Sequence, residues 1–215
     1  MHEANPTLRI VLGIPGPWHA MDELARAVAQ STSDFELRDG CLIRLADDKH
    51  FELELLERDP ILRQYYALAN RRSLSAEDLA RIDTHASTAY LSGPGGSLES
   101  AQEMLHAGSA LLQAGGYAVK VETAGIAHSA RDWLAQTQRR ATHVGALYIA
   151  YVALVSKAET VYSCGMQNMG FADALVSTSQ SAAQAANLLR GFLMGVLHEQ
   201  PTLLDGQSTV GDGDG

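Results

Sequence analysis

Residues 84–122 decide the fold, and they read THASTAYLSGPGGSLESAQEMLHAGSALLQAGGYAVKVE. Thr84–Ser92 is rich in β-branched and apolar residues, which predicts a strand. The glycines of Gly93–Gly96 end that strand, and Ser97 stands where a helix N-cap belongs. Apolar residues then recur at helical spacing up to a Gly-Gly pair, and Tyr117–Val121 returns as a strand. The stretch predicts a compact α/β domain and carries no catalytic signature.

The N-terminal part of the chain repeats this order of elements. Leu8–Ile14 predicts a strand, Pro15-Gly16-Pro17 closes it, and helical spacing of apolar residues follows from Met21. The segments Ile10–Gln30 and Ala89–Gln113 therefore share one pattern of strand, turn and helix. This similarity is typical of two pseudo-equivalent halves that share one sheet.

Strong local signals also lie between these two segments. Glu36–Leu45 predicts a hairpin, because Asp39-Gly40 is the strongest short signal for a hairpin turn. In the next strand, apolar residues alternate with Glu52 and Glu54. Since side chains alternate between the two faces of a strand, we expect both glutamates to face solvent.

Helix signals occur in both halves of the chain. Asp59-Pro60 and Ser75 each predict the start of a short helix, and Ser129–Gln138 predicts another, with Ser129 as its cap. Ala146–Val155 is a buried strand or a buried helix, and its periodicity does not decide between them. Ala183–Glu199 is apolar around most of its circumference, so we expect this helix to be deeply buried.

These elements predict one α/β (α+β) domain over residues 1–204, followed by a flexible tail rich in Gly and Asp over residues 205–215. We expect a mixed, largely antiparallel sheet with helices packed mainly on one face. The length of 215 residues is sufficient for one such core.

Composition limits the classes of partner. The formal net charge of −9 argues against a nucleic-acid binder, which needs a basic surface. It suits a basic protein partner, although acidity can also serve solubility alone. Cys41 and Cys164 form neither a metal-binding pattern nor a disulfide framework, so we expect reduced thiols in a cytoplasmic protein. No secretory signal, membrane segment, metal motif or cofactor motif is recognisable.

Two stretches are candidates for chemistry, and each has a structural alternative. Gly93–Ser97 precedes a helix and suits an anion or nucleotide sensor, or it is only a tight turn. His128 with Ser129 or Cys164 suits a small hydrolase, with Glu122 and Asp132 nearby in sequence. Alternatively, Ser129 caps a helix and Cys164 is buried as a small apolar residue.

Several motifs together resemble a bacterial α/β domain family of unknown function. They are Gly13–Trp18, His85 with the strand after it, Ala127–Trp133, Cys164–Asp173 and Asp205–Gly211. The resemblance covers most of the chain and implies no catalytic residue. Some relatives lie beside secreted antibacterial toxins, which implies an immunity role.

The leading hypothesis is a non-enzymatic, cytoplasmic immunity protein that binds and neutralises a type VI secretion system effector, such as a basic nuclease. A few exposed aromatic and carboxylate side chains usually dominate such an interface. We expect Trp18, Glu52, Glu54 and Asp132 to fill this role. The apolar surface shared by the last helix and Ala146–Val155 is either core or a homodimer surface.

Overall fold

The computed structural model describes residues 8–70, 73–138, 144–177 and 181–200. The strands are β1 (Arg9–Gly16), β2 (Phe35–Arg38), β3 (Cys41–Arg44), β4 (Lys49–Glu57), β5 (Ser87–Pro94), β6 (Ala118–Val121), β7 (Ile126–Ser129), β8 (Ala153–Lys157), β9 (Thr160–Cys164) and β10 (Leu175–Ser177). The helices are α1 (Met21–Ser31), α2 (Leu62–Ala69), α3 (Ala76–Asp83), α4 (Leu98–Gln113), α5 (Ala130–Gln138), α6 (Val144–Tyr151) and α7 (Ala182–Glu199), with a short 3₁₀ helix at Met166–Met169.

The main sheet has the strand order β2-β3-β4-β5-β1-β6-β7, and every ladder in it is antiparallel. An isolated parallel bridge joins Asn70 to Ala127. A second sheet, β10-β9-β8, is also antiparallel. The two predicted strand–helix units, β1 with α1 and β5 with α4, form the centre of the main sheet, and their strands pair from Arg9↔Pro94 to Gly16↔Ser87. The predicted α/β fold is thereby confirmed.

The main hydrophobic core lies on one face of this sheet, which we call the inner face. The strands contribute alternate residues to it, such as Ile10, Leu12 and Ile14 of β1. Residues of α1, α4, α6 and α7, and Trp133 of α5, complete the core. A smaller core lies on the opposite, outer face, where α2 and α3 pack against Ala118 and Ala127. Helices therefore lie mainly on one face, as predicted.

A buried carboxylate fixes the edge of the sheet to α4. Glu103 of α4 is buried and pairs with Arg44 at 2.9 Å and with Lys49. Arg44 also pairs with Asp47, and the Asp47 hydrogen bond is the largest cause of the raised pKa of its guanidinium. Because Arg44 and Lys49 flank the β3–β4 hairpin, this network holds β3 and β4 over the core.

The local signals read from the sequence are present in the structure. The hairpin turns at Asp39 and Gly40, with φ of 52° and 72°. Ser97 and Ser75 accept hydrogen bonds from backbone N–H groups in the first turns of α4 and α3. Ser129 Oγ accepts the N–H of Asp132 at 3.1 Å, as a cap of α5 should.

The structure differs from two predictions about apolar segments. Ala146–Val155 is neither one strand nor one helix, because α6 ends at Tyr151 and β8 begins at Ala153. The expected deep burial of the last helix is wrong: α7 buries one stripe, while Leu188 is 66% exposed and Phe192 38% exposed. The sequence looks apolar all round, but only the side of the helix that carries Ala185, Leu189 and Leu193 meets the core. The predicted tail, 205–215, lies outside the described residues.

Gly165 connects β9 to the short 3₁₀ helix and packs against the end of α6. A side chain does not fit at this position. The φ of Gly165 is +117°, and a Cβ there would lie 1.9 Å from the carbonyl oxygen of Tyr151. Gly191 of α7 is the opposite case, since a Cβ there would meet no atom within 4 Å.

Replacing these two glycines by alanine should therefore have opposite effects on stability. We expect Gly165→Ala to lower the free energy of unfolding by about 2 kcal/mol or more, because strain and a backbone clash add. Gly191→Ala should raise it by up to about 1 kcal/mol, since alanine favours the helix. Urea denaturation of both variants measures this, and equal destabilisation would contradict the packing described for Gly165.

Candidate functional site

Among the described residues, helices cover the outer face of the main sheet only on the side of β1, β6 and β7. Tyr66 of α2 lies over β1 and donates its hydroxyl hydrogen bond to the carbonyl of Gly13 at 2.6 Å. The C-terminal end of α2 meets β7, where Asn70 bridges to Ala127. Beyond β1, the side chains of β4 on this face, including Glu52 and Glu54, are exposed. We call this uncovered part the acidic face, defined by Arg9, His50, Glu52, Glu54, Tyr90 and Ser92.

Strand register brings these side chains together. Glu52 pairs with Ser92, and Glu54 pairs with Tyr90, across β4 and β5. Arg9 of β1 reaches over β5 to form an ion pair with Glu52 at 2.8 Å. A cleft of about 240 Å³ is lined by Arg9, His50, Glu52, Ser92, Gly93 and Pro94. The predicted exposure of Glu52 and Glu54 on a shared strand face is confirmed.

Gly13 makes room for a polar cluster at the border of the acidic face. A Cβ at this position would lie 2.9 Å from Oε1 of Glu122 and 3.3 Å from the ring of Tyr90. Lys120 forms an ion pair with Glu122. Burial, followed by the charges of Glu122 and Asp59, raises the pKa of Tyr90. Its phenol therefore stays protonated and is a hydrogen-bond donor beside carboxylates.

The sequence singled out neither Arg9 nor Tyr90 of this face. Both belong to predicted strands, but only the pairing of β1 with β5 and of β5 with β4 places them beside Glu52 and Glu54. Alternation along β4 was the one available signal, and it identified the glutamates alone.

Trp18 is not an exposed anchor, and the expectation that it binds a partner is corrected here. Its side chain is 2% exposed, and its indole N–H donates to the carbonyl of Ala114 at 3.0 Å. A Cβ on Gly16 would lie 2.2 Å from the ring, so the ring folds back over that glycine. Trp18 thereby fastens the chain after β1 to the end of α4.

Asp132 lies apart from the acidic face. It accepts a hydrogen bond from Ser73 at 2.8 Å and pairs with Arg131. Burial opposes its ionisation, but the hydrogen bonds from Ser73 and Arg131 prevail and lower the pKa of Asp132. Its helix follows β7, which is separated from β4 by three strands, or about 19 Å at the usual strand spacing. Asp132 therefore does not share a site with Glu52 and Glu54.

The pairing of His128 with Ser129 is also corrected, because the two neighbours in β7 point to opposite faces. The His128 ring faces Trp133 on the inner side, and its Nε2–H donates to the carbonyl of Ala150 at 3.0 Å. Ser129 Oγ is occupied as the cap of α5. Cys164 ends β9, where it pairs with Ala153 of the second sheet. His128 therefore does not serve Ser129 as the base of a hydrolase.

Two backbone donors of the turn at Gly93–Ser97, those of Gly95 and Gly96, are already used by carbonyl groups of the chain. The N–H of Gly95 donates to Leu8 at 2.8 Å, and the N–H of Gly96 donates to Asn168 at 2.9 Å. Ser97 accepts the N–H of Ser100 with its side chain. The structural alternative, a tight connection between strand and helix, accounts for this turn.

Comparisons with models of protein families, with curated proteins and with solved structures give no match. The resemblance to a family of unknown function stays a prediction. Within the described ranges, no helix has the length and apolar character needed to cross a bilayer. The same residues contain no group of three or more His, Cys, Asp or Glu side chains arranged to hold a metal ion.

The burial of His128 predicts a pH dependence of stability. Burial lowers the pKa of its imidazole, so below about pH 6.5 the unfolded chain binds a proton that the folded chain resists. The free energy of unfolding should therefore fall as the pH is lowered from 7 to 5. In His128→Gln this fall should be smaller, as urea denaturation at pH 5, 6 and 7 would measure. The exposed His50, replaced by Gln, is the control, and an unchanged pH dependence in His128→Gln would contradict the assignment.

Proposed function

We propose that this chain is a non-enzymatic protein that binds a basic protein partner through its acidic face. In its most specific form, the proposal is a cytoplasmic immunity protein that neutralises a type VI secretion system effector, such as a nuclease. One observation carries it: Glu52 and Glu54 stand exposed, beside Tyr90 and Arg9, on a sheet face that α2 and α3 leave uncovered.

Charge supports a basic partner. The chain has a net charge of −9, and opposite potentials speed encounter and suppress wrong partners. A nuclease presents a basic groove to the phosphates of its substrate. The carboxylates of Glu52 and Glu54 would meet that groove where the phosphates bind, so the complex would exclude the substrate.

The side chains of the acidic face match the composition of binding hot spots. Tyrosine and arginine are enriched in hot spots, because each combines a large contact area with hydrogen-bond donors. Tyr90 is half-buried, so part of its ring is already ordered before a partner arrives. Arg9 is held by Glu52, which likewise reduces the entropy lost on binding.

Changing charge on the acidic face should weaken binding to the native partner. We expect Glu52→Lys with Glu54→Lys to raise Kd by about tenfold or more, because like charges then meet across the interface. The control is Glu159→Lys with Glu199→Lys, which makes the same change in net charge at exposed sites on β8–β9 and α7. Partners are obtained by co-purification with the products of adjacent genes, and Kd is measured by calorimetry.

Two outcomes would refute the proposal. If no product of an adjacent gene is retained by the wild-type chain, the immunity role fails. If a partner binds but both double variants weaken it equally, net charge and not the acidic face governs binding. The affinity should also fall as salt is raised, since exposed charges are screened.

A further inference from the structure

A line of apolar side chains is exposed along α2. The helix buries Leu62, Tyr66 and Ala69 against the sheet. Ile61 is 43% exposed, Tyr65 45% and Leu68 81%. These three residues follow the spacing i, i+4 and i+7, so they form one row on the side of the helix. We call Ile61, Tyr65 and Leu68 the α2 stripe.

The α2 stripe borders the acidic face. Asp59, just before the helix, is close enough to Tyr90 for its charge to affect the phenol. From there α2 passes over Gly13 to reach Ala127, so it runs diagonally from the edge of the acidic face to β7. Leu56, at the end of β4, adds a further exposed apolar side chain beside this border. Although α3 packs against α2, it leaves the stripe exposed.

Together, helix and sheet form an open groove. Its floor is formed by strands β4 and β5 and by the outer face of β3, where Ile43 is 3% exposed, and α2 is one wall. Three neighbouring strands span about 10 Å between the outer two, which is about the diameter of a helix with its side chains. The floor carries Glu52 and Glu54, and Asp59 lies at the end near the wall. The groove is therefore apolar on the wall and acidic on the floor.

We propose that this groove binds an amphipathic basic helix of the partner, with its apolar side against the α2 stripe and its Lys or Arg side chains over Glu52 and Glu54. This inference rests on the proposed function and specifies the chemistry of the partner at the same face. Charge complementarity selects this occupant: Arg9 already pairs with Glu52, but an apolar helix without cations would bury the Glu54 carboxylate with no cation of the described residues beside it.

The test uses a labelled helical peptide of Lys and Leu at amphipathic spacing as its probe. Two control peptides are a scrambled sequence of the same composition and a Lys and Ala peptide of the same charge. Binding to the full chain is measured by fluorescence anisotropy at low salt. The variant Tyr65→Ala with Leu68→Ala removes two of the three side chains of the α2 stripe. The control variant Leu188→Ala with Phe192→Ala removes a matched exposed pair on α7.

We expect the amphipathic peptide to bind, and the loss of Tyr65 and Leu68 to raise its Kd by about tenfold or more. The α7 variant should bind as the wild type does, and both control peptides should bind at least about tenfold more weakly. Because all four residues are exposed, the variants should fold, which circular dichroism checks.

Other outcomes overturn the inference and leave the proposed function to its own test. Equal binding of the Lys and Ala peptide would show that the face acts by charge alone. Equal weakening by the two alanine variants, or no binding of the peptide, would exclude the groove. If the wild type is a dimer by analytical ultracentrifugation and loss of Tyr65 and Leu68 makes it monomeric, a second copy is the occupant. If the variant without Tyr65 and Leu68 binds a native partner as tightly as the wild type does, the groove is excluded. The acidic face alone then remains the proposed site.

Discussion

The antiparallel pairing of β1 with β5 is the constraint on which the rest of the molecule depends. Its register, from Arg9↔Pro94 to Gly16↔Ser87, decides which face every side chain of the two central strands occupies. A slip of β5 by one residue against β1 would exchange the faces of β5, placing Tyr90 in the core and Leu91 in solvent. The inner core, the place of Tyr66 and the acidic face all follow from this one register.

The ion pairs on the two faces of the sheet differ in how much they contribute to stability. Glu103 is buried under the sheet, while its partners Arg44 and Lys49 are partly exposed, so breaking this network costs less than the about 3–5 kcal/mol of a fully buried pair. The Glu52–Arg9 pair is exposed on the outer face, where such pairs contribute about 0–1 kcal/mol. Losing a partner of the buried Glu103 is therefore costlier to folding than losing the outer pair. Exposed carboxylates that folding does not need remain available to a partner.

Local signals in the sequence were sufficient for much of the fold. The turn at Asp39-Gly40 and the caps Ser75, Ser97 and Ser129 were predictable, since each acts through atoms within a few residues. The alternation in β4 likewise identified Glu52 and Glu54 as exposed. Such features depend on no distant part of the chain.

The remaining features depend on contacts between distant residues. The indole N–H of Trp18 donates to the carbonyl of Ala114, which is 96 residues away in sequence. The sequence around Trp18 does not predict that contact. Tyr90 becomes part of a site only through its strand neighbours. The sequence suggested a pair of His128 and Ser129 because they are adjacent. Adjacent side chains of a strand point to opposite faces, so the two do not meet. The strand Ile126–Ser129, which the sequence pattern did not predict, was the missing information.

The division of the sheet into a closed inner face and an open outer face also determines how this surface can change. Glu52, Glu54, Tyr65 and Leu68 are exposed, so substituting them would alter recognition by the proposed groove with little effect on the core. Tyr66 and Gly13 differ, because the hydroxyl of one is bonded to the carbonyl of the other and no Cβ fits between them and Glu122. Specificity can therefore vary along the groove while the contact that seats α2 on the sheet stays fixed. A binding surface built this way changes its partner without rebuilding its fold.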